Sequence, residues 1–280
     1  MIKKLSPAKV NLHLRVLRKR DDGYHDIATL MQRISLYDEM IFSLIDHGIT
    51  LSCPGSTLPE NEHNIVHRAA AALLSRSPHT PGIHIAIKKN IPVAAGLGGG
   101  SSNAATALTT INDLMRLHYT HEDLMKIGAN IGADVPFFIL GKTAWAFGIG
   151  NRLRPAEHIP PLWFVLINPG FEISTKMVYE SLKLRLTKRV VKYKSPELHT
   201  FEDLIKGLHN DLEKVTLGLH PALQHIKNLL MQNGAKGAIM SGSGPSVVGI
   251  FTGESEALKA KEAIENIGVK EWSVFSAHSL

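Results

Sequence analysis

The run Pro92-Val93-Ala94-Ala95-Gly96-Leu97-Gly98-Gly99-Gly100-Ser101-Ser102-Asn103 constrains the chain more than any other segment, because it stands directly ahead of a helical pattern. Ala104, Ala105, Leu108, Ile111 and Met115 follow it at helical spacing and form one apolar stripe. Glycines let successive backbone N–H groups converge on one point without side-chain obstruction, and a helix N-terminus adds partial positive charge. A loop of this build suits a polyphosphate. Ser101 and Ser102 can cap the helix or touch phosphate; the alternative is a tight turn or a hinge.

Spacing rejects two better-known loops. A dinucleotide fingerprint needs glycine three residues after Gly98, where the chain has Ser101. Gly141-Lys142-Thr143 has the end of a P-loop, but Pro136 replaces the glycine required five residues earlier, and strand-like Ala144 to Phe147 follows where a helix is needed. His63 and His67 have the spacing of a zinc pair, without the glutamate of a metalloprotease motif between them.

Around the loop the pattern is mixed helix and strand. The even positions Ala8, Val10, Leu12, Leu14 and Val16 are apolar, and Lys9, Asn11, His13 and Arg15 alternate with them, which predicts a half-buried strand. Further strands are expected at Ile27 to Ile45 and Gly82 to Lys88, and a helix over His63 to Ser75. Pro160 and Pro161 precede an apolar strand at Leu162 to Asn168. Helices at Phe201 to Leu208 and Ala222 to Gln232, strands at Gly237 to Met240 and Ser246 to Phe251, a helix at Glu254 to Ile267 and a strand at Glu271 to Ala277 complete an α+β second half. The expected lobes are residues 1–155 and 156–280.

With 280 residues and 44% hydrophobic content the chain can bury a sizeable core, as one large domain or two lobes. Cys53 is the single cysteine, so an internal disulfide and a cysteine-held zinc are excluded and a reducing compartment is expected. Ser6, Pro7 and Lys9 interrupt what would have to be the apolar core of an export signal, and the apolar runs fall far short of a membrane span. A soluble, cytoplasmic protein is the expectation. Lys183, Arg185, Lys188, Arg189, Lys192 and Lys194 match the whole net charge of +6. This run carries a single aromatic, Tyr193, and the remainder of the chain is neutral, so a solvated face or a rim attracting anionic substrates is favoured over nucleic-acid binding.

The glycine run resembles the ATP-phosphate loop of the GHMP kinases, and its Gly-Gly-Gly-Ser-Ser-Asn form is similar to the branch acting on diphosphocytidyl-methylerythritol. Four other segments agree in order: Ser6-Pro7-Ala8-Lys9-Val10-Asn11-Leu12, Asp22-Gly23-Tyr24-His25, Gly132-Ala133-Asp134-Val135-Pro136-Phe137, and Met240-Ser241-Gly242-Ser243-Gly244-Pro245. The resemblance spans nearly the whole chain. It implies a two-lobe α+β fold with the active site in the cleft between lobes. It also implies transfer of the ATP γ-phosphate to the 2-hydroxyl of diphosphocytidyl-methylerythritol, in the non-mevalonate route to isoprenoids. Two positions depart from or vary the pattern: Ile239 stands where an arginine is frequent, and Tyr179 where an aromatic stacks on cytosine.

The roles implied are these. Lys9 stabilises alkoxide and phosphoryl charge, and Asp134 accepts or orients the hydroxyl proton. The alternatives left by the residues alone are a structural Lys9–Asp134 ion pair or a helix cap at Asp134. Pro92, Val93, Ala94, Ala95, Gly96, Leu97, Gly98, Gly99, Gly100, Ser101 and Ser102 would hold ATP, with Asn64 and Ile65 near adenine. Asn11, Tyr24, His25, Tyr179, Ser243 and Gly244 would bind the cytidine substrate. Magnesium is expected with ATP, held by phosphates and water, without an assigned protein ligand. Two further readings stay open: a GHMP kinase of homoserine, mevalonate or a sugar, which Gly23-Tyr24-His25 disfavours, and a silent sensor on the same fold, which Lys9 with Asp134 disfavours.

Overall fold

The computed structural model of the chain describes residues 1–76, 81–182, 193–198 and 200–280. Two long strands, β1 (Ile2–Lys19) and β2 (His25–Ile45), open it and are joined by a turn in which Gly23 takes φ +85°. Then come β3 (Ile49–Ser52), α1 (Ile65–Leu74), β4 (Gly82–Lys88), α2 (Gly99–Leu114), α3 (His121–Ala129) and α4 (Val135–Leu140). β5 (Ala144–Gly148), β6 (Arg152–Pro155) and β7 (Trp163–Asn168) lead to α5 (Thr175–Ser181), α6 (Phe201–Gly207), β8 (His209–Asn210), α7 (Glu213–Leu219) and α8 (Ala222–Gln232). The chain closes on β9 (Gly237–Met240), β10 (Val247–Phe251), α9 (Glu254–Glu265) and β11 (Ser273–His278).

Contacts group these elements into two compact units whose segments interleave. The first unit is Met1–Ala8, Tyr37–Pro92 and Gly98–Gly141; the second is Lys9–Leu36, Val93–Leu97 and Lys142–Leu280. β1, β2 and the glycine loop therefore each supply both units.

In the first unit the end of β2 pairs antiparallel with β4, from Glu39 opposite Lys88 to Ile45 opposite Gly82, and β3 lies parallel to β4. α1 forms because Val66, Ala69, Ala70 and Leu73 make one buried face and the Asn64 side chain accepts the N–H of Val66 as an N-cap. α2 buries Ala104, Ala105, Leu108 and Ile111, the expected stripe, with Met115 at its C-cap. A Cβ at Gly128 would lie 2.7 Å from Val135 Cγ1, so glycine is what lets α3 and α4 approach.

In the second unit the start of β2 pairs antiparallel with β5, β5 with β6, and β1 runs parallel to β8 through His13–His209 and Leu14–Asn210. A separate antiparallel sheet has the order β11-β7-β10-β9. Every residue of β10 is buried, as is most of β7, and α8 and α9 contribute Leu223, Ile226, Leu230, Ala257, Ala260 and Ile264 to the same core.

One expectation needs correction. From Ala8 to Leu14 β1 is buried on both faces, with Lys9, Asn11 and His13 only 4%, 4% and 5% exposed, like the apolar residues between them. Burial of Lys9, Asn11 and His13 is tolerated because each finds a hydrogen-bond partner inside the second unit, as described below, whereas Arg15 is exposed as the alternation predicts. Gly141-Lys142-Thr143 follows helix α4 and precedes strand β5, the reverse of a P-loop; Gly141 ends α4 in the left-handed region at φ +70°. The basic run lies outside the described residues apart from Lys194. Among the described residues no helix is long and apolar enough to cross a membrane.

Candidate active site

The polar face of β1 holds the centre of the second unit's site. The Lys9 ammonium donates to Asn11 Oδ1 at 2.5 Å and to the Gly96 carbonyl at 2.9 Å. Asn11 Nδ2 donates to Thr29 Oγ1 at 2.8 Å, and Thr29 donates onward to the His13 carbonyl at 2.7 Å. His13 Nδ1 lies 2.7 Å from the Gly207 carbonyl, which can only accept, so that nitrogen carries the proton; Nε2 then accepts from the Tyr193 hydroxyl at 2.7 Å. Burial above all, against the raising effect of the Gly207 hydrogen bond, lowers the His13 pKa and favours the neutral ring.

The loop after β9 is tied to this strand and to the first half of the glycine loop. Ser241 is fully buried; its hydroxyl accepts the Asn11 N–H at 3.2 Å and donates to the Gly96 carbonyl at 2.9 Å. Ser246 N donates to the Ala95 carbonyl at 3.4 Å and Lys9 N to the Leu97 carbonyl at 2.9 Å. The carbonyls of Ala95, Gly96 and Leu97 are thus all held by protein donors. A trans peptide directs its N–H opposite to its C=O, so the N–H groups of Gly96, Leu97 and Gly98 aim away from those donors. Ala94 takes φ +51°, a left-handed conformation costing roughly 1–2 kcal/mol for alanine. Ala95 and Leu97 are buried and anchor the loop, while Val93 and Ala94 are exposed.

α5 joins the remaining substrate candidates. Thr175 in its first turn shares a hydrogen bond with Ser243 Oγ at 2.8 Å, and Tyr179 packs its ring on His25 at 5.0 Å and 34°. At that separation the two rings touch each other, so they form one continuous aromatic surface rather than two walls with a base between them. Tyr24 is 63% exposed at the tip of the β1–β2 turn. Arg20 braces that turn by pairing with both Asp22 and Asp26, and Asp22 accepts the Tyr24 N–H at 3.1 Å. Burial, then the nearby Lys19 charge, lowers the His25 pKa. Gly244 is left-handed at φ +87°, and a Cβ there would meet Met240 Sδ at 2.7 Å.

In the first unit, Gly98 is the N-cap of α2 at φ +70° and the helix starts at Gly99. Ser102 is fully buried, with its hydroxyl accepting from Ser6 at 2.8 Å and its N–H donating to the Gly98 carbonyl, whereas Ser101 is half-buried. Beneath them lies a charged network. Asn103 Nδ2 donates to Ser6 Oγ and to Asp38 Oδ2, each at 3.0 Å; Lys89 pairs with Asp38 and donates to Asn103 Oδ1 at 3.1 Å. Asp38 Oδ1 also accepts the N–H groups of Asn90 and Ile91, both at 2.8 Å. Pro92, half-buried, follows this pair.

Ile65 sits against the same helix start: its side chain is 3.6 Å from where a Gly100 Cβ would be and 3.1 Å from a Gly132 Cβ, itself 3.6 Å from Ser101 Oγ. The Gly132-Ala133-Asp134 segment therefore lies beside the second half of the loop. Asp134 stands at the N-cap of α4 but makes no side-chain cap bond, which disfavours the capping alternative. Asn64 is buried, with Nδ2 on the Pro59 carbonyl at 2.7 Å and Oδ1 on the Val66 N–H, so its amide is engaged in holding α1.

The structure thus gathers Lys9, Asn11, Tyr179, His25 and Ser243 with Ala95 to Leu97 in one unit, and Asp134, Ile65 and Gly98 to Ser102 in the other. Reading the sequence missed Ser241 and Asn210, which hold the loop after β9, and Asp38, Lys89 and Asn103 beneath α2. Ser241 and Asn103 lie inside quoted motifs, and that was their available signal.

Known proteins match this chain in sequence and in fold. The model of the GHMP kinases N terminal domain matches residues 64–142, and that of the GHMP kinases C terminal domain residues 186–270. A 4-diphosphocytidyl-2-C-methyl-D-erythritol kinase of Syntrophus aciditrophicus (strain SB) is 58% identical over 280 residues, covering 100% of both chains. A crystal structure of 4-(cytidine 5'-diphospho)-2C-methyl-D-erythritol kinase superposes with TM-score 0.84 at 33% identity, covering 99% of each chain. The homoserine kinase of Cytophaga hutchinsonii shares the fold, with TM-score 0.73 at 19% identity over 100% of this chain and 94% of its own.

Proposed function

Because this chain belongs to the GHMP kinases, and within them to the 4-diphosphocytidyl-2-C-methyl-D-erythritol kinase family, we propose the following reaction for it. It transfers the γ-phosphate of ATP to the 2-hydroxyl of 4-diphosphocytidyl-2-C-methyl-D-erythritol, in the non-mevalonate route to isoprenoids. The observation that carries the reading is the grip on Lys9: a buried ammonium held between Asn11 and the carbonyl of Gly96, inside a glycine loop whose neighbouring N–H groups aim outward.

Phosphoryl transfer needs charge neutralisation, in-line positioning and a destination for the acceptor's proton. In this proposal the N–H groups of Gly96 to Gly100 and Ser101 bind the ATP phosphates, and Ile65 offers an apolar contact near adenine. Lys9 offsets the charge building on the transferred group. The substrate 2-hydroxyl loses its proton to the Asp134 carboxylate, its oxygen bonds to the γ-phosphorus, and the bond from that phosphorus to the β–γ bridging oxygen breaks to release ADP. Asn11, Ser243 and Gly244 face the erythritol diphosphate portion. Tyr24 stacks on cytosine beside the His25–Tyr179 surface, and neutral His25 can donate and accept along the base edge. Among the described residues no group of three or more His, Cys, Asp or Glu could hold a metal ion, so no dedicated magnesium cage is assigned. Magnesium would arrive carried by the ATP phosphates. Cytoplasmic operation and a lobe boundary near residue 155, between the two matched domains, belong to the same proposal.

Asp134→Asn keeps size and shape and removes the charge. Turnover at saturating ATP and diphosphocytidyl-methylerythritol should fall by about 10² to 10⁴ while both ligands still bind. Turnover near wild type would leave Asp134 without a proton-accepting role.

A further inference from the structure

We propose that Ser241 is a positioning residue that sets the Lys9 ammonium for phosphoryl transfer; the proposal rests on the catalytic reading of Lys9 given above. A lysine reaches its target on a flexible four-carbon stem, and the freedom it must lose is among the largest of any side chain. Asn11 Oδ1 and the Gly96 carbonyl both accept from the Lys9 ammonium. Ser241 holds the residues that carry both. One hydroxyl accepts from the Asn11 N–H at 3.2 Å and donates to the Gly96 carbonyl at 2.9 Å, so the spacing between these acceptors of the Lys9 ammonium is set by a single oxygen.

That oxygen is itself immobilised. Ser241 is fully buried, its N–H donates to the Ser246 carbonyl at 2.9 Å, and its carbonyl accepts the Gly244 N–H at 3.0 Å. Asn210, at the end of β8, donates from Nδ2 to the carbonyls on either side, Met240 at 2.8 Å and Gly242 at 2.7 Å, while its Oδ1 accepts the Leu212 N–H at 3.0 Å. A Cβ at Gly242 would come 3.3 Å from Asn11 Oδ1, and one at Gly96 would come 2.1 Å from the Ser241 carbonyl. The three segments meet closely around the hydroxyl bridge. Removing the bridge alone leaves the Gly96 carbonyl and the Asn11 amide without their shared tie, and Lys9 keeps its charge but loses its fixed place.

The test is a kinetic cycle of Ser241→Ala and Lys9→Ala, assayed with ATP and diphosphocytidyl-methylerythritol and accompanied by thermal melts. Ser241→Ala should lower kcat by about 10- to 100-fold, the scale of a small misplacement of a catalytic group. Both KM values should change by less than about threefold, because the loss lies in the transition state. In the Lys9→Ala background the same substitution should cost less than about twofold, since the residue it positions is gone. Ser241→Cys, whose thiol is a weak donor, should fall between serine and alanine, and it replaces Ser241→Ala throughout the cycle if the alanine variant does not fold. An equal kcat loss from Ser241 substitution in both backgrounds, or wild-type kcat in a folded Ser241→Ala, would overturn the positioning role while leaving Lys9 catalytic. Unchanged kcat in Lys9→Ala would instead remove the underlying reading, and this proposal with it.

Discussion

The two halves of the glycine loop are anchored by different physics. Val93 to Leu97 belong to the second unit and hang by their carbonyls, from the Lys9 ammonium and backbone, the Ser241 hydroxyl and the Ser246 N–H. Gly98 to Ser102 belong to the first unit and begin a helix that stands on a buried ion pair, Lys89 with Asp38, whose side chains are 9% and 0% exposed. The carbonyl anchors fix directions: pinning each C=O turns the next N–H outward, which is what a phosphate cradle needs. The ion pair fixes a position. A buried carboxylate accepting an ammonium and two backbone N–H groups has little tolerance for displacement, so the helix N-terminus above it is held in place. Orientation and placement of the donors are thus supplied separately.

The largest expected effect separates the halves by a single methyl group. In Gly96→Ala the new Cβ would lie 2.1 Å from the Ser241 carbonyl, at φ +76° where alanine is strained in any case. Turnover should fall by about 10²-fold or more, since the carbonyls must be re-aimed. In Gly100→Ala the Cβ meets nothing nearer than Ile65 Cγ2 at 3.6 Å, and the position is already helical. Turnover there should stay within about threefold, and stability should hold or rise, because alanine is the better helix former. Equal losses in steady-state assays of the two variants would end the distinction.

The second effect is on stability. Lys89→Met leaves Asp38 charged and buried without its cation, a change that typically costs about 3–5 kcal/mol. Ser241→Ala removes a neutral bridge and should cost about 1–3 kcal/mol. Denaturant unfolding of the two variants measures the gap, and a Lys89→Met no more destabilised than Ser241→Ala would mean that the ion pair is not the stiffer anchor.

What the sequence disclosed about these anchors follows from how local each signal is. The glycine run and the stripe of α2 are adjacent in the chain, so their meaning is carried by spacing. β2, β4, α1, α8 and the elements of the β7 sheet show clean periodicity, and they fold where that periodicity puts them. The polar face of β1 read as solvent-facing because Lys9, Asn11 and His13 have their partners at Gly96, Thr29 and Gly207, far along the chain. Nothing beside Lys9 announces a buried acceptor. Asp38 reads as one polar residue near the end of a strand, Asn210 has no periodic context, and a serine among glycines reads as a turn. α3, absent from the expectations above, is different: Thr120 and Asp123 form a capping box, a local signal that went unused. α5 and β8, at 7 and 2 residues, are too short for any period to show.

The smallest expected effect is a response to acid that sharpens the contrast from the carbonyl side. β1, from which the first half of the loop hangs, carries His13 as a neutral, buried ring. Around it stand the Gly207 carbonyl and Asp211, which favour protonation, His209 and Arg15, which oppose it, and the Tyr193 hydroxyl and Trp145 ring. Burial is the dominant cause, and it places the folded-state pKa below the ordinary value of 6.5. Below about pH 6.5 the unfolded chain therefore binds more protons at this residue than the folded one. The stability contributed by neutral His13 is complete above that pH and is lost as pH falls toward and through the folded-state value. His25, also lowered, adds in the same direction. In His13→Gln, an amide replaces the ring and cannot titrate. Unfolding free energies measured from pH 8 to pH 5 should decline less steeply in that variant than in wild type, with the slopes separating only below about pH 6.5. A wild-type slope in His13→Gln would show that the ring is already protonated when folded, and the hydrogen bond from Tyr193 to Nε2 would have to be reversed.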